Sequence, residues 1–133
     1  MARVLQIFIF GIQFLLVAGL SGESVRVATY NVNNYLVMDR MVEGYWRPQY
    51  PKPEGEKTVL RRIIVSAAPD ILILQEMGDA GFLEELRADL ELEGDYYPHA
   101  VLLEAADPDR RIAVLSKVEP IEVVEHLDLD FKY

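Results

Sequence analysis

The run Ile71-Leu72-Ile73-Leu74 constrains the fold more than any other stretch of the chain. Four apolar residues in a row do not alternate with polar ones, so they suit a strand covered on both faces, as in the middle of an α/β layer structure. The flanking sequence agrees. Upstream, Val59, Leu60, Ile63, Ile64 and Ala67 recur at helical spacing, while Lys57, Arg61 and Arg62 take other faces. Pro53, Glu54 and Glu56 suit the start of that helix and its dipole, and Pro69 ends it, because the residue before a proline avoids the helical region. Downstream, Asp79 is placed to cap a second helix running to Leu90, with Phe82, Leu83, Leu86 and Leu90 turned inward and Gly94 closing it.

The remaining segments complete the pattern. Residues 25–30 are rich in β-branched and aromatic types and read as a strand, broken by the turn formers Asn31, Asn33 and Asn34. From Tyr35 to Pro53 periodicity dissolves into a long aromatic and proline-bearing loop, either functional or a surface insertion. Strands are expected over 97–103, 112–116 and, after Pro120, 121–125, with a turn on Asp107-Pro108-Asp109. The order is β, loop, α, β, α, β, β, β. It predicts an α/β fold, a layered sandwich with mixed β-sheets flanked by helices.

Residues 1–21 stand apart. Arg3 opens a short basic region, residues 5–20 are almost wholly apolar, and small residues follow at Gly19, Ser21 and Gly22. That order is the pattern of a secretory signal peptide, with cleavage expected after Ser21. The alternative is an uncleaved membrane anchor, since the run approaches the roughly 17–25 residues that span a bilayer; Gln6 and Gln13 weigh against it. The expected product is a secreted or periplasmic domain of residues 22–133, in contact with a membrane only if the first segment stays attached. Without a cysteine no disulfide framework exists, so stability must come from packing or metal. The net charge is −9, and −10 after residues 1–21 leave with one arginine and no acid. A domain this acidic repels polyanions at long range, which disfavours tight non-specific DNA binding.

Two strands end in oxygen-bearing side chains: the first in Asn31 with Asn33 two residues on, the second in Glu76. Ligands gather at the carboxyl ends of strands in α/β sheets. One carboxylate with amide oxygens is a hard donor set suited to Mg²⁺ or Mn²⁺, which keep several waters for a substrate phosphate. Taken alone, a glutamate after a buried strand is more often a solvated strand end than a ligand. The wording of the blocks is more specific. Thr29-Tyr30-Asn31-Val32-Asn33-Asn34, then Pro69-Asp70-Ile71-Leu72-Ile73-Leu74-Gln75-Glu76, then Arg111-Ile112-Ala113-Val114-Leu115-Ser116-Lys117 with Pro120-Ile121, stand in the order of three signature blocks. The chain thereby resembles the endonuclease/exonuclease/phosphatase superfamily from about Val25 to Ile121.

The resemblance implies a metal-dependent phosphoesterase in which Glu76 ligates Mg²⁺ (or Mn²⁺). It places Asn31 beside the scissile phosphate, orienting the attacking water or its base, and Asn33 as a polar residue near the metal. The substrate would be a phosphoester: nucleic acid, lipid head group or small molecule. No stable protein partner is expected. The chain departs from the family in lacking its later Asp-x-Asn and Ser-Asp-His blocks, so the chain is expected to be the N-terminal part of such a domain, inactive alone. The alternative is a truncated or degenerate exported domain that binds ligand without turnover. His99 and His126, the only histidines, follow no such motif; His99 is expected to be structural or at a pocket edge and His126 to end a strand. Arg110 and Arg111 either touch substrate phosphate or pair with Asp107 or Asp109. Lys52 and Arg47 in the long loop either favour an anionic substrate or, as the leading expectation, are solvated, and the acids from Glu84 to Asp95 are expected to form a solvated helix face.

Overall fold

A computed structural model describes residues 24–104 and 106–126; the expected signal segment lies outside them. The elements in chain order are β1 (Val27–Tyr35), β2 (Met38–Val42), β3 (Tyr45–Tyr50), α1 (Glu54–Ala67), β4 (Ile71–Met77), α2 (Ala80–Leu92), β5 (His99–Leu103) and β6 (Arg111–Ser116). The fold is mixed α/β. Four strands form one sheet in the order β1-β4-β6-β5, with β1 and β4 parallel and the other pairs antiparallel. β2 and β3 form a separate antiparallel hairpin.

Alternation along β4 sorts its side chains. Leu72, Leu74 and Met77 are buried with Leu60 and Ile64 of α1 and Leu83, Leu86 and Leu90 of α2, so both helices cover the same face. Leu115 and Ala113 of β6, Val32 and Tyr35 of β1, and Tyr97 complete that core. The opposite face carries Ile71, Val101, Leu103 and Val114, and the segment through Val118, Pro120 and Val123 crosses it, enclosing a cavity of about 260 Å³. Coverage of β4 is therefore unequal: Ile71 and Ile73 are only half-buried.

The helix ends follow the sequence. Pro53 O accepts from the backbone of Glu56 and Lys57, and Ala68 closes α1 in the left-handed region with its N–H on Ile64 O. Asp79 caps α2 by accepting from Gly81 N at 2.9 Å and Phe82 N at 3.3 Å. Gly94, at φ +90°, makes the turn out of it.

Four expectations are corrected. The region from Tyr35 to Pro53 is not an irregular loop: it holds the β2–β3 hairpin, whose two-residue turn has Glu43 at φ 51° and Gly44 at φ 83°. β1 does not stop at Asn31 but runs on to Tyr35 through a bulge. Residues 121–125 form no strand, and His126 ends none. The acids of α2 are not simply solvated. Glu85, Asp89 and Glu93 recur every fourth residue on one face. That face meets α1, where the largely buried Lys57 pairs with Glu85, and Arg61 reaches Asp89 at 2.9 Å and Glu93 at 2.8 Å. Burial opposes the charge on Arg61, but its bonds to Glu54 and Glu93 and the charge of Asp89 outweigh that cost and raise its pKa.

Candidate active site

The carboxyl ends of β1 and β4 lie side by side because the strands are parallel and in register, with Asn31 opposite Gln75. Beyond that pair the register shifts, and Val32, Asn33 and Asn34 stand against Glu76 alone. The shift needs unusual backbone. Asn33 and Asn34 take left-handed φ values of 50° and 57°, and Glu76 faces them at 60°. Asparagine visits this region readily, but for glutamate it is a strained position of the kind found at functional sites. Gly78 makes the crossing possible. Its N–H bonds Tyr35 O at 3.1 Å, and a Cβ there would stand 2.8 Å from that carbonyl.

The bulge converges its polar groups on one carboxylate. Asn31 Nδ2 donates to Glu76 Oε1 at 2.9 Å and Asn34 N donates to Oε2 at 3.1 Å. Asn33 N donates to Asn31 Oδ1 at 2.8 Å, and Asn34 Nδ2 donates to Asn33 Oδ1 at 3.3 Å. The amide orientations are not arbitrary. A backbone N–H can only donate, so the bond from Asn33 N fixes the oxygen of the Asn31 amide and turns its nitrogen toward Glu76.

Three cations surround this loop. Lys52 Nζ donates to Asn33 O at 3.0 Å and pairs with Glu56 at 2.8 Å. Arg40 Nη2 donates to Asn34 O at 3.2 Å and to Leu36 O at 2.7 Å. Arg110 Nε donates to Asn34 Oδ1 at 2.7 Å, and its Nη1 pairs with Asp107 at 3.1 Å. Lys52 is only 4% exposed, so the expectation of a solvated lysine is corrected: its ammonium is held between the Asn33 carbonyl of the bulge and Glu56. Arg47 is exposed, with its guanidinium 5.9 Å from the Tyr45 ring centroid. Arg110 makes the turn contact with Asp107 expected of it and also reaches the rim. Sequence reading gave Arg40 no role and took Asn34 only as a turn former within the first signature block; its place after Asn31 and Asn33 was the only signal of its contact with Glu76.

The histidines are elsewhere. His99 begins β5 opposite Ser116, which is opposite Ile71. It lines the apolar cavity, at a pocket edge as expected and five residues along β4 from Glu76, or about 16 Å at the usual strand rise.

The donor chemistry fits a hard dication. Each Glu76 oxygen accepts one hydrogen bond, which leaves lone pairs on both, and the carboxylate is held in place before any ligand arrives. Among the described residues no group of three or more His, Cys, Asp or Glu side chains is poised to hold a metal. A one-carboxylate site is the kind Mg²⁺ accepts, since it keeps most of its waters. Asn31 and Asn33, with Lys52 and the first turn of α1, also line a hollow of about 310 Å³ beside the rim. No helix among the described residues is long and apolar enough to cross a membrane. The chain matches no family model, no curated protein and no solved structure.

Proposed function

We propose that the chain carries the glutamate-centred part of a metal-dependent phosphoesterase site, exported from the cell, acting on a phosphodiester or phosphomonoester. The observation that carries this reading is the geometry of Glu76: a strained, half-buried carboxylate at the end of a central strand, oriented by Asn31 Nδ2 and the Asn34 amide. A Mg²⁺ or Mn²⁺ held by Glu76 would supply Lewis acidity toward a phosphoryl oxygen and offset developing negative charge. The chain's own residues do the rest. Glu76 would hold the ion and Asn33 would contribute to its polar surroundings. Asn31 spends one Nδ2 hydrogen on Glu76 and keeps the second for a phosphoryl oxygen or the attacking water. Lys52, Arg40 and Arg110 soften the repulsion that a chain of net charge −9 presents to an anion.

A second reading, a domain that binds ligand without turnover, is favoured by one feature: His99 stands at the far end of β4 from Glu76, so no general base from it reaches the rim. The decisive experiment compares the full-length protein with Glu76→Gln on bis(p-nitrophenyl) phosphate with Mg²⁺. The expected result is a loss of about a thousandfold or more, as for several kcal/mol of transition-state stabilisation. Unchanged hydrolysis in the variant removes Glu76 from the mechanism. Calorimetric binding of Mg²⁺ and the phosphodiester by the wild type without hydrolysis establishes the second reading.

A further inference from the structure

We propose that Arg110 is a positioning residue for Glu76 and acts through Asn34, a role that rests on Glu76 being the metal-holding carboxylate. The relay is short. Arg110 Nε donates to Asn34 Oδ1 at 2.7 Å, and Asn34 N donates to Glu76 Oε2 at 3.1 Å. Arg110 is itself anchored. Its Nη1 lies 3.1 Å from Asp107 Oδ2, while Asp107 Oδ1 accepts from the backbone of Asp109 at 2.9 Å and of Arg110 at 3.3 Å. The turn ahead of β6 thus reaches across the rim and grips a residue 76 positions earlier in the chain.

Asn34 needs such a grip. It is the second of two successive left-handed residues, a backbone state that side-chain-bearing residues leave easily unless the surroundings over-determine it. Arg40 and Lys52 hold the two carbonyls of the bulge, at Asn34 and Asn33. Arg110 is the cation that holds a side chain, and because arginine only donates, it fixes Asn34 Oδ1 as the acceptor and Nδ2 as the donor to Asn33. The planar fork matters. Nε faces Asn34 while Nη1 faces Asp107, a two-point hold that a lysine ammonium on its flexible stem does not reproduce. The effect on Glu76 is orientation: the Asn34 amide is one of its two donors, and losing the hold frees one carboxylate oxygen. Groups that orient a ligating side chain in this way are worth about 10–100-fold in metal affinity.

The test uses the full-length protein with Mn²⁺ as the probe, read by electron paramagnetic resonance, and hydrogen exchange of the Asn34 backbone amide, read by NMR. In Arg110→Ala and Arg110→Lys the Asn34 amide exchanges about tenfold faster, as for loss of the support under one charge-assisted hydrogen bond. Both variants bind Mn²⁺ about tenfold or more weakly. Asn34→Gly, which tolerates the left-handed backbone and keeps the amide donor but has no side chain for Arg110, weakens Mn²⁺ binding to the same degree. Circular dichroism checks that each variant is folded. Wild-type behaviour in Arg110→Lys overturns the proposal, because a plain positive charge then suffices. Unchanged Asn34 exchange in Arg110→Ala overturns it as well. If the wild type takes up no Mn²⁺ but exchange still accelerates in both arginine variants, the metal reading fails and the hold of Arg110 on the Glu76 bulge stands.

Discussion

Beneath the two helices, Leu72, Leu74, Met77, Leu83, Leu86 and Leu90 are almost completely withdrawn from water and take ordinary helical or extended backbone. At the rim of the same sheet, Asn31 and Asn33 are exposed, three residues take left-handed backbone, and order comes from directed hydrogen bonds and three cations. Burial is non-directional and tolerant of small shifts, so it secures the sheet without aiming any single atom. The hydrogen bonds of the rim do the reverse: each contributes little net stability but fixes one lone pair or one N–H. Stability and aim are therefore carried by different residues, a few strand positions apart.

The sharpest way to test that division is to damage each side alone. Leu86→Ala removes a fully buried side chain from the middle of α2 and leaves a cavity, with an expected cost of about 3 kcal/mol. In chemical denaturation the midpoint falls, while Mn²⁺ affinity of the folded fraction stays at the wild-type value; a matching loss of affinity breaks the comparison. Gly78→Ala strikes the junction. Its Cβ would sit 2.7 Å from Phe82 and 2.8 Å from Tyr35 O, and because the second contact is backbone, the ends of β1 and β4 must part. A loss of about 2 kcal/mol is expected, together with weaker Mn²⁺ binding, so this variant alone should injure both sides. The smallest effect is that of pH. Burial, reinforced by Glu85, raises the Tyr35 phenol well above the ordinary value of 10, and burial with the Asp95 hydrogen bond does the same for Tyr97. A raised folded pKa stabilises fully below the unfolded value and is lost above it, so stability should hold to about pH 10 and then decline. At the acid end the Arg61 hydrogen bond lowers Glu54 from 4.5, so its contribution is present above that value and fades as pH falls below it. Absorbance at 295 nm should show Tyr35 and Tyr97 ionising only as the protein unfolds; titration of both in the folded state near pH 10 contradicts this.

Much of the covered face was legible because periodicity and end signals report directly on burial. The spacing of Leu83, Leu86 and Leu90, the cap at Asp79, the stop before Pro69 and the run of β4 all appear in the fold. The hairpin was less legible. Its turn uses Glu43-Gly44 instead of the usual Asn-Gly, its strands carry Pro48 and few β-branched residues, and every residue of β3 is exposed, so no buried face imposed alternation. At the rim, the oxygen-bearing residues Asn31 and Glu76 were legible near strand ends, but that β1 and β4 are neighbours was not. Nor were the contributions of Asn34, Arg40 and Arg110, because they depend on a register shift and on contacts up to 76 residues apart. Lys52 and the acids of α2 were misjudged for a related reason: composition gives a residue its charge but not its partner, which is the Asn33 carbonyl and Glu56 for Lys52 and the cations of α1 for the acids.

The left-handed pair at Asn33 and Asn34 has a bearing on how descendants of this sequence are to be interpreted. Asparagine and glycine suit such backbone better than other residues, so geometry alone would select them at these two positions even in a lineage that had abandoned chemistry. Their retention would therefore be poor testimony of activity. Position 76 is different: its backbone is equally awkward, but glutamate has no special tolerance for it, and drift freed from functional selection would relax it toward glycine or asparagine. On the proposed function, a glutamate kept there against that pressure is the residue by which a metal-binding lineage would be told from a lapsed one.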